Sequence, residues 1–426
     1  MNEVVLAVSI FVITYGIIIS EKINKVAISI LGATLVVMLG ILSQEQAIDY
    51  IEFNTIGLLI GMMVIVGVLK SSGIFEYLAI YVAKKVKGDP WKILVILGVL
   101  TAFASAFLDN VTVVLLVAPV TLVITETLDI DARPFLISQI LLSNIGGTAT
   151  LIGDPPNVMI GSSTNLTFND FLVNLAPVVV IVTIVFIICF KFMLKKYAKN
   201  MESKKENIEL LMSMDEKASI TNPALLKKSI IVLALTILSF WLSEAIHIEL
   251  SILALFFAGV MLTITYVDVE EIFVHVEWTT LTFFVALFVL VGALVQVGFI
   301  DTLASGMVNI THGDVLLATM IILWGSGLAS SFLNNIPFVA TMIPLITAMG
   351  TSGMDIEPLW WALALGACFG GNGTIIGSSA GVIVVGVCEK RGQKISFMQY
   401  FKAAFPLTLI SLLISSIYLY VKFFLI

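Results

Sequence analysis

The chain contains a second copy of itself, offset by 225 residues. Residues 51–79 (IEFNTIGLLIGMMVIVGVLKSSGIFEYLA) align without a gap on 276–304 (VEWTTLTFFVALFVLVGALVQVGFIDTLA). Nine of the 29 positions are identical, including Gly67/Gly292 and Gly73/Gly298. The register holds at 105–119 (SAFLDNVTVVLLVAP) against 330–344 (SSFLNNIPFVATMIP), which sets Asn110 on Asn335 and Pro119 on Pro344. It slips by one residue at 146–153 (GGTATLIG) against 370–377 (GGNGTIIG). Duplicated apolar halves with matching interruptions are a mark of secondary transporters.

The 426 residues are 59% hydrophobic and 12% charged, which excludes an ordinary soluble protein and requires membrane spans. The three cysteines, Cys189, Cys368 and Cys388, are far apart in sequence, so neither a disulfide framework nor a structural zinc site is expected. The first apolar run has no basic n-region and no small-residue cleavage site, and reads as a retained span. No GxxxxGK[ST] motif occurs, so the chain is not itself an ATPase, although a separate ATPase subunit stays open. No cofactor and no nucleic-acid partner are expected.

Apolar runs place spans at about 2–20, 26–42, 54–70, 133–160 (interrupted), 169–194, 227–246, 249–266, 279–296, 358–388 (interrupted) and 400–421. Two pairs remain, 91–108 with 111–128 and 315–333 with 336–350, and each pair enters and leaves on one side. Five crossings per half turn the second half upside down relative to the first. The halves are then 1–196 and 227–426, joined by a polar linker, 197–226. With both termini outside and the linker in the cytoplasm, 21 of the 22 lysines and arginines fall on the inner side. The expected fold is therefore an all-α polytopic membrane protein with inverted five-helix repeats, lying in a plasma membrane.

Two polar interruptions carry the chemistry of the first half. One is the turn Ser105-Ala-Phe-Leu-Asp109-Asn110-Val-Thr112. If its flanking segments are half-helices meeting in mid-membrane, one end offers free carbonyls to a cation and the other offers free N–H groups. A carboxylate there is costly unless it has a task or a partner. The segment 91–108 is also long enough to cross fully, which would make Asp109-Asn110 a surface turn. The second interruption includes Asn144, Thr148, Thr150, Gly153, Asp154 and Pro155-Pro156. Its prolines break the helix near 153–156, and broken backbone at membrane depth must be buried in protein or line a polar cavity.

The second half repeats both interruptions with neutral residues. Ser330, Asn334 and Asn335 stand at the turn, and Asn372, Thr374, Gly377 and Ser378 at the break. Asp109 is matched by Asn334 and Asp154 by Ser378, so an acidic cation or proton site faces a site of hydroxyls, amides and backbone. Sodium is expected at Ser105, Asn110 and Asp154. Glu52 and Glu277 each precede a span, where favourable interaction with the helix N-terminus is the simple account.

FLDNVTVVLLVAPVTL followed by GGTATLIGDPPNVMIGSS resembles the arsenite permease/P-protein branch of the ion transporter superfamily. That superfamily also holds NhaD-type sodium/proton antiporters and sodium-coupled dicarboxylate carriers. The resemblance implies a homodimer. It also implies a scaffold, about 1–90 and 227–312, and a transport domain, about 91–168 and 313–390, that moves like an elevator. The transport domain would carry a re-entrant hairpin and a broken helix from each half. The dicarboxylate carriers have Ser-Asn-Thr at each tip, where this chain has Asp-Asn-Val and Asn-Asn-Ile.

The expected function is exchange of H⁺ or Na⁺ for a small solute, with arsenite efflux first. Arsenite is an uncharged trihydroxide at neutral pH and suits a neutral polar pocket beside an acid. Sodium/proton antiport is the second choice and sodium-coupled di- or tricarboxylate uptake the third. An intramembrane aspartyl protease would also use two aspartates, but the Gly-x-Gly-Asp pattern of such enzymes reads Leu151-Ile152-Gly153-Asp154 here.

Overall fold

The computed structural model describes residues 3–20, 22–194 and 205–425. Residues 195–204, which include the start of the linker, lie outside the described residues. The first half forms α1 (Glu3–Ser20), α2 (Lys25–Met38), α3 (Gln44–Asp49), α4 (Phe53–Ser71), α5 (Ile74–Lys85), α6 (Pro90–Phe107), α7 (Asn110–Leu128), α8 (Arg133–Gly147), α9 (Pro155–Ser162) and α10 (Phe168–Leu194). The linker contributes α11 (Lys205–Ser213) and a single 3₁₀ turn at Glu216–Ser219. The second half forms α12 (Pro223–Ile246), α13 (Leu250–Thr265), α14 (Val269–Phe273), α15 (Trp278–Gln296), α16 (Phe299–Thr311), α17 (Val315–Phe332), α18 (Asn335–Thr351), α19 (Glu357–Gly370), α20 (Ser379–Lys390) and α21 (Phe397–Tyr420).

Among the described residues, nine helices are long and apolar enough to cross a membrane, and α2, α13 and α18 are shorter apolar helices. The chain is thus an all-helical, multi-pass membrane protein. Helices suit lipid because each satisfies its own backbone groups.

The order of elements in α1–α10 recurs in α12–α21, with matching starts. α4 and α15 begin 225 residues apart, as do α6 and α17, and α7 and α18. Helix starts follow from local chemistry that the halves share. Asp89 and Asp314 accept a backbone N–H at the N-caps of α6 and α17. The halves also interlock, since α4 packs on α13 and α15 on α2, while α6 packs on α8 and α17 on α19.

Small residues permit the last two pairings. A Cβ on Gly146 of α8 would lie 2.0 Å from the Ala102 carbonyl oxygen of α6, and one on Gly370 of α19 would lie 2.4 Å from that of Gly327 in α17.

Two features differ from the sequence reading. Residues 74–85 and 299–311 are helices, α5 and α16, where hydropathy marks only connecting segments. The break in the first half runs from Thr148 to Asp154, earlier than the prolines suggest. Pro155 and Pro156 open α9, where a missing N–H costs nothing, and do not end α8. The stop comes instead after the glycine pair Gly146-Gly147.

Candidate functional site

The two turns and the two breaks meet inside the molecule. The α6–α7 turn is built by Leu108 in an extended conformation and by Asp109, which caps α7. One Asp109 carboxylate oxygen accepts the Thr112 backbone N–H at 3.0 Å and its hydroxyl at 3.2 Å. The α17–α18 turn has nearly the same backbone: Asp109 lies at φ −54°, ψ 134° and Asn334 at −59°, 133°. The breaks match as well, with Asp154 at −142°, 134° and Ser378 at −136°, 148°. The backbone is thus duplicated while the charge is not.

The turns are not surface features. Asn110 and Asn335 are buried, as are Ser105 and Ser330 in the preceding turns of helix. Asn110 donates its amide to Asn144 at 3.0 Å and to one oxygen of Asp154 at 3.2 Å. Asn144 donates in turn to Asn372 at 2.8 Å and to Ser378 at 2.9 Å, which ties the first break to the second. Asn372 donates to the Leu141 carbonyl at 3.1 Å. A continuous polar chain therefore runs from the first turn through both breaks.

Several predicted site residues serve as braces. The hydroxyl of Thr150 donates to the Ala106 carbonyl, and that of Thr374 to the Ser331 carbonyl at 2.5 Å. These carbonyls belong to the last turns of α6 and α17, which have no helical partner of their own. Thr148 donates to the Asn144 carbonyl at 2.7 Å. Gly153 approaches the end of α6 so closely that a Cβ would lie 2.4 Å from the Ser105 carbonyl oxygen, and for Gly377 and Ser330 the distance is 2.7 Å. Only glycine fits there.

Within the turns and breaks, four buried oxygens have no hydrogen-bond partner among the described residues: the hydroxyls of Ser105 and Ser330, Oδ1 of Asn110 and Oδ2 of Asp154. Each such group costs about 1–3 kcal/mol if it stays unsatisfied. Ser105, Asn110 and Asp154 are the three residues expected to hold sodium. They present a hydroxyl, an amide oxygen and a carboxylate oxygen, a hard donor set suited to a hard cation.

Asp109, Asn110, Asp154, Asn335, Ser378 and Glu277 line one central cavity of about 20 Å³, room for about one water. Beside it lies a cavity of about 880 Å³, lined by Lys22 and Lys25 and reaching Leu333, Asn334 and Ser379. Asn334 donates to Ser379 at 3.4 Å in its wall. The counterpart region of the other half, around Glu244, His247 and Glu249, forms a separate cavity of about 380 Å³ that does not reach Asp109.

Three further contributors lie outside the residues expected to bind. Asn157 spans the first break by donating to the Thr148 and Thr150 carbonyls at 3.1 and 2.9 Å. Cys368 of α19 donates to Asn157 at 3.5 Å. Glu277 faces both cavities. Asn157 stands in the Gly-Asp-Pro-Pro-Asn motif of the second interruption; Cys368, near the second break, reads from sequence as a packing residue, and Glu277 as a residue at a helix N-terminus.

A family model described as a citrate transporter (CitMHS) matches residues 15–366. An uncharacterized transporter of Mycobacterium tuberculosis is 41% identical over 429 residues, covering 99% of both chains. The human P protein is 31% identical over 502 residues, covering 99% of this chain and 60% of that protein. Among solved structures, the YdaH transporter of Alcanivorax borkumensis matches with a TM-score of 0.63 at 12% identity, covering 99% of both chains, a likeness of fold alone.

Proposed function

From the premise that this chain belongs to the citrate transporter (CitMHS) family, we propose that it is a secondary active carrier exchanging H⁺ or Na⁺ for a small polar solute. Its family and relatives are transporters and not enzymes, which removes the protease alternative. The observation that carries the cation coupling is the set of buried, unpartnered oxygens on Ser105, Asn110 and Asp154. With Oδ2 unpartnered at that depth, the Asp154 carboxylate would be stabilised by a proton or a cation.

Arsenite is the first solute proposed. No lysine or arginine lines the central cavity, whose polar groups are carboxylates, amides and hydroxyls. A neutral trihydroxide can exchange hydrogen bonds with all of them. A carboxylate solute such as citrate is the second reading, favoured by the family description and by Lys22 and Lys25 in the large cavity. Each solute charge about 4 Å from an ionised aspartate is repelled by ~4 kcal/mol at an effective dielectric of ~20. Coupling cations would have to enter with such an anion. Sodium/proton antiport needs the acidic half alone.

The remaining architecture is proposed from the repeat and the family likeness. The halves are inverted across a plasma membrane, with the termini outside and the linker inside. The turns are re-entrant tips, two protomers pair through their scaffolds, and the hairpin-bearing domain moves between faces. Flux into proteoliposomes of arsenite, citrate, succinate and sodium, each under a proton or a sodium gradient, tests the coupling and ranks the solutes. Equal flux with and without every gradient would make the protein a passive channel.

A further inference from the structure

Glu277 is the N-cap of α15, yet its side chain caps nothing. No backbone N–H of the helix donates to it. Its Oε2 instead accepts the Thr280 hydroxyl at 2.9 Å. Glu277, Thr280 and Ser379 are lined up on the wall between the two cavities, since all three border both the 880 Å³ space and the central one. Asp154, 1% exposed and with Oδ2 unpartnered, lines the same central cavity. Asp109 also borders that cavity and interacts electrostatically with Glu277. The repeat counterpart, Glu52, borders neither space. Interaction with a helix N-terminus would serve both glutamates equally, so it does not explain why one of them forms the wall.

We propose that Glu277, with the hydroxyls of Thr280 and Ser379, forms an entry site for the coupling monovalent cation at the neck between the large cavity and the central one. This rests on the cation-coupled reading above. The site holds Na⁺ or a hydrated proton outside the inner oxygens and raises the local cation concentration there. Lys25 on α2 is the opposing charge that acts on Glu277, and its ammonium lies over the Phe283 ring, 5.3 Å from the centroid. A plain ion pair between Glu277 and Lys25 is the competing account, and the two accounts differ in sign. If Glu277 only pairs with Lys25, losing either partner has the same effect. If Glu277 receives the cation, losing the lysine should improve cation capture.

The test uses full-length protein in proteoliposomes, with citrate and arsenite as solute probes. Initial rates are measured against sodium concentration at fixed pH, and against pH without sodium, to separate the two cations. Glu277→Gln should raise the half-saturating cation concentration about tenfold, with flux recovering as the cation concentration is raised. Glu277→Asp should fall between them, and Lys25→Gln should shift half-saturation the opposite way. Unchanged half-saturation in Glu277→Gln, or the same shift in Lys25→Gln, overturns the proposal. If neither gradient drives either probe in the parent protein, the coupled-carrier reading itself falls. The neck site is then decided by radiolabelled sodium binding to the purified protein, competed with acid. Binding that Glu277→Gln leaves unchanged removes the site.

Discussion

Asp154 and Ser378 show how one backbone can carry two chemistries. Their conformations nearly coincide, and each precedes a helix that restarts after a break. Ser378 caps α20 by accepting the Gly381 N–H at 3.3 Å, whereas the Asp154 side chain accepts no backbone N–H at the start of α9. Its two oxygens divide instead between Asn110 and an open position. Asp154→Asn retains the volume and an oxygen for Asn110 but removes the charge. We expect the variant to fold and insert normally and to lose gradient-driven flux to background. Parent-like flux in reconstituted Asp154→Asn would mean that the open oxygen holds no coupling cation. Polar residues at the turns and breaks were legible because nothing else in an apolar run explains them. The roles of Glu277 and Cys368 were not, since each depends on a partner more than 150 residues away that spacing cannot place.

At the scale of elements, the repeat made the helix order readable, and the glycines explain its tightest contacts. Gly146 and Gly370 are repeat counterparts, and each sits where its helix meets the backbone of the preceding hairpin arm. Gly146→Val must separate α6 from α8 and so displace the Thr150 brace on the Ala106 carbonyl. A loss of about 1–3 kcal/mol from overpacking is expected, read as a lower unfolding midpoint in detergent. Gly386→Ala, with nothing within 4 Å of the added carbon, should leave the midpoint unchanged. The helices α5 and α16 escaped hydropathy because they are too short and mixed to span. They became visible only through what they pack on.

The linker turn docks on α5 through Lys84, which donates to Glu216 at 2.6 Å and to the Met214 carbonyl at 2.7 Å. The hydrogen bond from Lys84 holds the Glu216 carboxyl below its usual value. A carboxyl depressed in the folded state stabilises the docking above the ordinary glutamate range, and that contribution is lost as pH falls through the folded value. Hydrogen-exchange protection at 215–220, measured relative to the intrinsic rate at each pH, should therefore fall in acid. Glu216→Gln should show the reduced protection already at neutral pH and little further loss of protection on acidification. Exchange in the variant that matches the parent at both pH values would show that the ion pair does not hold the turn.

For the whole molecule, the asymmetry between the halves carries the strongest consequence. Leu333 and Leu108 occupy equivalent places one residue before the two turns, and both are extended. Leu333 borders the 880 Å³ cavity, while Leu108 is 4% exposed and buried in the core. If the halves are inverted as proposed, they can exchange conformations, and the exchanged state would open the region around Glu244, His247 and Glu249 toward Leu108. In the proposed orientation Lys22 and Lys25, which line the larger cavity, lie on the cytoplasmic side, so that cavity would face the cytoplasm. In a background without native cysteines, Leu333→Cys should react with an impermeant thiol reagent from the cytoplasmic face in the resting protein. Leu108→Cys should react from the outer face only when a gradient and solute drive the cycle, as labelling at Leu333→Cys declines. The reciprocal change is what distinguishes alternating access from a pore that opens at both ends. Leu108→Cys that stays unreactive under every gradient would confine the protein to the single face described here.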